Sequence, residues 1–161
     1  MARATGNVLA SLPSTDDIKE AVADTAEAGE SFKRRVAIVK SRPGGYGDLN
    51  EVASNEIAEY FKMDNTDERA ADVRRMIEWL QENPVGRGCS VLHRVRPIRI
   101  DQKSQRVWRL APEKTEKGLE GITGDNKTLR VVYTITGTHI AVLDVLTHEA
   151  YNKKWAGGGS K

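Results

Sequence analysis

The spacing of apolar and polar positions changes twice along the chain. Over residues 32–40 the β-branched Val36, Ile38 and Val39 sit among basic neighbours, which predicts a strand. Ser41-Arg42-Pro43-Gly44-Gly45-Tyr46-Gly47 then predicts a loop, because its glycines and proline resist both helix and ladder. A helical period follows. Asp48 and Glu51 resemble a capping box for a helix reaching Met63, with Val52, Ile57, Tyr60 and Phe61 on its apolar side. A second helix is predicted from residues 65–67 to about residue 81, where Ala70, Val73, Met76, Ile77 and Leu80 form one stripe. Asn83-Pro84 ends it, and the two helices read as an αα-hairpin. After Gly88 the period becomes two. Residues 91–100 and 106–110 predict strands joined by a polar turn, and residues 129–136 and 139–147 predict a tight hairpin about Gly137-Thr138. Gly137 would take the position in that turn that tolerates positive φ. Leu129, Val131, Tyr133 and Ile135 alternate with Arg130, Val132, Thr134 and Thr136, so one face is apolar and the other holds a lone arginine among small side chains.

A strand, two helices and then a run of strands predict an α+β domain: a small antiparallel sheet backed by a two-helix hairpin. That domain covers residues 32–155. Residues 1–31 form a flexible or partly helical N-terminal extension, in which Ser14-Thr15-Asp16-Asp17 would cap a short helix carrying Ile18 and Val22. Residues 156–161 form a flexible, glycine-rich tail. A length of 161 residues suits one domain with an extension. Hydrophobic residues at 39% and charged residues at 30% suit a globule rather than a disordered chain. No run approaches the ~18 apolar residues of a membrane span, and the first ten residues lack the apolar centre of a secretory signal. The expectation is a cytoplasmic protein without a membrane partner. A single cysteine, Cys89, excludes an internal disulfide and a multi-cysteine zinc site.

The formal charge of +2 hides an asymmetry. Residues 1–86 carry 11 Lys/Arg against 16 Asp/Glu, and residues 87–161 carry 14 against 7. Arg87, Arg94, Arg96, Arg99, Lys103, Arg106 and Arg109 meet one acid, Asp101, and Trp108 lies among them. Strand alternation puts Arg94 and Arg96 on one face. Cations interleaved with an aromatic suit a nucleic acid, since charge neutralises phosphate and a ring stacks on a base. The same charge also suits a solvated edge strand. The glycine-rich segment after the first strand lacks the Lys-Ser/Thr pair of a phosphate-binding loop. His93, His139 and His148 lack metal-ligand spacing, and Cys89 with His93 is too few ligands, so neither a metal nor a cofactor is expected.

The stretch Leu129-Arg130-Val131-Val132-Tyr133-Thr134-Ile135, Gly137, Ile140-Ala141-Val142-Leu143-Asp144-Val145, His148 and Tyr151 resembles the end of RelE/ParE-superfamily toxins. Trp108-Arg109-Leu110-Ala111-Pro112 is similar to their preceding strand. The resemblance implies a toxin of a type II toxin–antitoxin system, held inactive by an antitoxin. RelE-type members cleave mRNA on the ribosome; ParE-type members inhibit DNA gyrase without that chemistry. A catalytically inactive RNA- or ribosome-binding protein on the same scaffold is a third reading. For the metal-independent endoribonuclease, the resemblance assigns Arg130 to the phosphate, His148 to proton transfer, and Tyr151 to base stacking or proton transfer. Arg94, Arg96, Trp108, Arg109, Lys153 and Lys154 are the expected nucleic-acid contacts. Glu149 stands where many nuclease members carry an arginine.

Overall fold

The computed structural model describes residues 33–42, 46–62, 67–100, 102–115, 118–122 and 124–155. The expected N-terminal extension and the glycine-rich tail lie outside the described residues.

Among the described residues eight strands form one mixed sheet: β1 (Arg35–Arg42), β2 (Tyr46–Glu51), β3 (Cys89–Val91), β4 (Ile98–Ile100), β5 (Lys103–Gln105), β6 (Val107–Leu110), β7 (Leu129–Ile135) and β8 (His139–Thr147). Their order is β3-β6-β7-β8-β1-β2-β4-β5. Most neighbours are antiparallel, but β1 runs parallel to β8 and β2 parallel to β4. The helices are α1 (Ile57–Tyr60), α2 (Asp67–Glu82) and α3 (His148–Lys154).

Strand β7 is buried along its whole length. Its odd residues join Trp108, Leu110, Val36, Ile38 and the α2 stripe in the main core. Val73, Met76, Ile77 and Leu80 are each 0% exposed, so the predicted stripe is the buried face of α2. Burying each such side chain contributes about 1.5–3 kcal/mol. The end of α2 is fastened by polar contacts. The Tyr133 hydroxyl donates to the Pro84 carbonyl at 2.6 Å, and Gln81 Nε2 donates to the Arg34 carbonyl at 2.7 Å. On the opposite sheet face α3 lays Tyr151 and Trp155 over Val107 and Val132.

Several elements differ from the sequence expectation. The first helix of the expected hairpin is absent over residues 48–51, which form β2 together with Tyr46 and Gly47 of the expected loop. Val39, Lys40 and Ser41 of β1 pair with Leu49, Asp48 and Gly47. What remains is a 3₁₀ turn at Ser54–Glu56 and the single turn α1, so one long helix covers the core face. Gly47 is a packing residue of the sheet: a Cβ there would lie 2.5 Å from Val39 Cγ1. The expected strand over 91–100 is broken into β3 and β4 by the turn at residues 92–97, and the expected polar turn at 101–105 contains β5. The sheet is therefore larger than expected and mixed rather than antiparallel. In the β7–β8 turn Gly137 does not adopt the left-handed region. The turn is closed by Thr136, whose Oγ1 accepts from the amides of His139 at 2.8 Å and Thr138 at 3.3 Å.

Candidate functional site

The antiparallel register of β6, β7 and β8 brings three chain segments to one end of the sheet. Leu110, the last residue of β6, pairs with Val131; Leu129, the first of β7, pairs with Thr147, the last of β8. Glu113, on the 3₁₀ turn Pro112–Lys114, follows β6. Arg130 is the second residue of β7, and His148 begins α3 directly after β8. Thr147 caps α3, its side chain accepting from the Ala150 amide at 3.2 Å.

Arg130 lies on the α3 face of the sheet and is 4% exposed. Its Nη1 donates to the Leu129 carbonyl at 3.0 Å, and its Nη2 faces Glu113 Oε2 at 3.4 Å. The Glu113 side chain is 37% exposed, so this pair spans from the interior to the surface. Arg109 partners Ser90 on one side and Val132 on the other, and its Nη2 donates to Ser90 Oγ at 3.3 Å. The Nε atoms of Arg109 and Arg130 are both buried without a hydrogen-bond partner. Tyr151 covers this face. Burial raises its phenol above the usual 10.0; hydrogen bonding and charge from Arg109, with a smaller effect of Arg130, oppose that rise. Arg109, Arg130 and Tyr151 thus form one cluster, which the alternation in β6 and β7 builds.

The other predicted residues are placed differently. His148 is exposed, with Nε2 3.2 Å from Asn152 Nδ2. Arg94 and Arg96 are exposed, but on the 92–97 turn rather than on one strand face. That turn sits on the α3 side, because its Leu92 and Val95 pack into the same small cluster as Tyr151. Lys153 is exposed on α3, whereas Lys154 is tied to Asp144 Oδ2 at 2.8 Å. Trp108 is 2% exposed and stacks on Tyr133 with ring centroids 6.4 Å apart, so it is a core residue and cannot receive a base. Tyr151 at 4% exposure likewise presents no ring for stacking.

Sequence reasoning missed Glu113. The residue sits in a stretch without periodicity, and only its place three residues past a strand end marks it. Among the described residues no group of three or more His, Cys, Asp or Glu side chains is arranged to hold a metal ion, and no helix is long and apolar enough to cross a membrane. No family model, curated protein or solved structure matches the chain.

Proposed function

We propose that the protein is a RelE-like toxin, an endoribonuclease that cleaves mRNA on the ribosome by attack of a 2′-hydroxyl on the adjacent phosphate. One observation carries this reading: the Glu113 carboxylate and the Arg130 guanidinium face each other at 3.4 Å at the end of β6 and β7, where the chain leaving β8 carries the imidazole of His148. Those are the three kinds of group the reaction needs.

The chemistry follows from their properties. Glu113 takes the 2′-hydroxyl proton as O2′ bonds to phosphorus. The scissile phosphate occupies the position beside Arg130 Nη2 that Glu113 Oε2 now holds, and the guanidinium stabilises the developing phosphorane charge. His148 gives its proton to the leaving 5′-oxygen as the P–O5′ bond breaks, leaving a 2′,3′-cyclic phosphate and a 5′-hydroxyl. Protons and bonds balance without a redox partner. Tyr151 acts as a positioning residue, holding the two arginines under α3. Arg94, Arg96 and Lys153 form a basic rim on that side for the flanking phosphates. An antitoxin is the expected protein partner.

The test is induced expression followed by primer extension on a reporter transcript. The wild type should arrest growth and cut at positions fixed by the reading frame. Arg130→Ala and His148→Ala should each relieve arrest and lower cleavage by about 10²–10⁴-fold. Intact transcripts together with loss of DNA supercoiling would instead establish a ParE-like gyrase inhibitor. Intact transcripts with the protein retained on ribosomes would establish an inactive RNA-binding protein.

A further inference from the structure

The charge asymmetry of the chain is concentrated in two short segments. Residues 14–30, outside the described residues, carry Asp16, Asp17, Glu20, Asp24, Glu27 and Glu30 against Lys19, an acidic excess equal to that of residues 1–86 as a whole. Residues 92–106 carry Arg94, Arg96, Arg99, Lys103 and Arg106 against Asp101. This basic segment belongs to one structure. β3 pairs with β6 and β4 with β5, both antiparallel, so residues 89–110 form a bent two-stranded arm. Its tip reaches β2, where Tyr46 pairs with Arg99. Among the described residues Arg94, Arg96 and Lys103 are exposed and make no ion pair, whereas Arg35, Arg74 and Lys154 each face an acid. Protection of a sheet edge accounts for Lys103 on the terminal strand β5, but not for Arg94 and Arg96 on the 92–97 turn.

We infer that residues 14–30 dock on the basic arm of their own chain, with their carboxylates against Arg94, Arg96 and Lys103. Charge is the first argument: the densest acidic segment of the sequence meets exposed cations that no acid of the fold neutralises. Reach is the second. The described chain starts at residue 33, two before β1, and β2 alone stands between β1 and β4 of the arm. β1 has eight residues, so its length and two strand spacings put the arm tip about 28 Å from Arg35. Residues 14–34 span about 70 Å fully extended, and about 40 Å with 14–30 helical. Tethering is the third argument. A tethered segment meets the arm at an effective concentration on the order of 1 mM, so an isolated affinity of ~0.1 mM keeps it docked about nine-tenths of the time. The docking stands apart from the ribonuclease reading, whereas its consequence rests on that reading. Arg94 and Arg96 belong to the rim proposed for flanking phosphates, so the docked segment competes with RNA for them.

The experiment uses the full chain, isotopically labelled, with Ala23→Cys carrying a nitroxide; Cys89 is buried, so the label goes to residue 23. At low salt the nitroxide should broaden the backbone amide signals of residues 92–106. The signals should recover near 1 M salt, where screening acts over about 3 Å. Arg94→Glu with Arg96→Glu, both at exposed positions, should abolish the broadening, and adding Asp17→Lys with Glu20→Lys should restore it. Absence of broadening at low salt, or broadening that survives the arginine reversals, would overturn the docking. Equal broadening by a nitroxide on a second, unlabelled copy would also overturn it, since the contact would then lie between copies. Fluorescence anisotropy with a single-stranded RNA reads the consequence. Asp17→Asn with Glu20→Gln and Asp24→Asn should bind about tenfold tighter than the wild type at low salt. Equal affinity would overturn the competition. If neither chain binds RNA, the ribonuclease reading falls, and the nitroxide result still decides the docking.

Discussion

Arg130 is a guanidinium at 4% exposure, and a buried charge is costly unless paired. Its Nη groups have the Leu129 carbonyl and Glu113, while its Nε has no partner. Glu113 therefore has two roles, one in the fold and one in the proposed reaction, and they can be separated. Glu113→Gln should cost about 1–2 kcal/mol of stability, less than a fully buried pair because the carboxylate is partly exposed. The same change should lower cleavage by about 10²–10⁴-fold, since an amide cannot take a proton. Unchanged cleavage, with stability lost, would confine Glu113 to the structural role. Not every site residue was equally legible. Arg130 could be read because β7 alternates cleanly. Trp108 was also readable and was misassigned: Trp108 and Leu110 alternate with Val107 and Arg109, which puts the ring on the apolar face despite its basic neighbours. Glu113 was not readable, since its importance arises from an ion pair with a residue 17 positions away.

Among the elements, α2 and β7 were legible because their apolar periods are long, and β8 because it is the second arm of a tight hairpin, although its register shifts opposite Val132 and Tyr133. The helix expected from Asp48 was not, because tertiary pairing overrode local propensity. Asp48 and Glu51 have capping-box spacing, yet Glu51 is drawn to Arg35 and His139, and Gly47 permits Val39 to pack directly over β2. The break between β3 and β4 was hidden for a related reason: Leu92 and Val95 are apolar because they anchor a turn over the second face, not because they belong to a strand. The short helix α3 matters most for the proposed site. At seven residues it is too short to stand alone, so its cap and the burial of Tyr151 must hold it. Thr147→Ala removes the acceptor for the Ala150 amide and should cost about 1 kcal/mol. Fraying would also uncover Arg109 and Arg130, so cleavage should fall beyond what the lost stability explains. Thr147→Ser should restore both the melting temperature and the rate; a serine variant as impaired as the alanine one would show that the cap is not the cause.

At the scale of the whole molecule, the sheet has a centre and a wing. Strands β6, β7 and β8 carry the α2 core on one face and the α3 cluster on the other, while β2-β4-β5 extends beyond β1 and reaches the α3 cluster only through Ile98 of β4. Among the described residues β2 pairs with β1 over six positions, whereas β4 joins β2 at Tyr46 with Arg99. A surface clamp adds to this attachment. Glu51 of β2 faces His139 Nε2 of β8 at 3.0 Å and Arg35 Nη1 of β1 at 3.4 Å. The His139 hydrogen bond, with further help from Arg35, holds the Glu51 carboxyl below its ordinary 4.5. The folded state therefore favours the charged carboxylate. Its contribution is present at pH above the unfolded value and is lost as pH falls through the lower folded value. Acid should loosen the wing before the centre, because β7 has neighbours on both edges and helices on both faces. Hydrogen exchange read residue by residue should show protection in β2 and β4 falling below about pH 4.5 while β7 stays protected. Glu51→Gln should remove that pH dependence, leaving the wing equally loose at neutral and acid pH. A uniform loss of protection across the sheet, unaltered by Glu51→Gln, would mean that pairing alone fastens the wing.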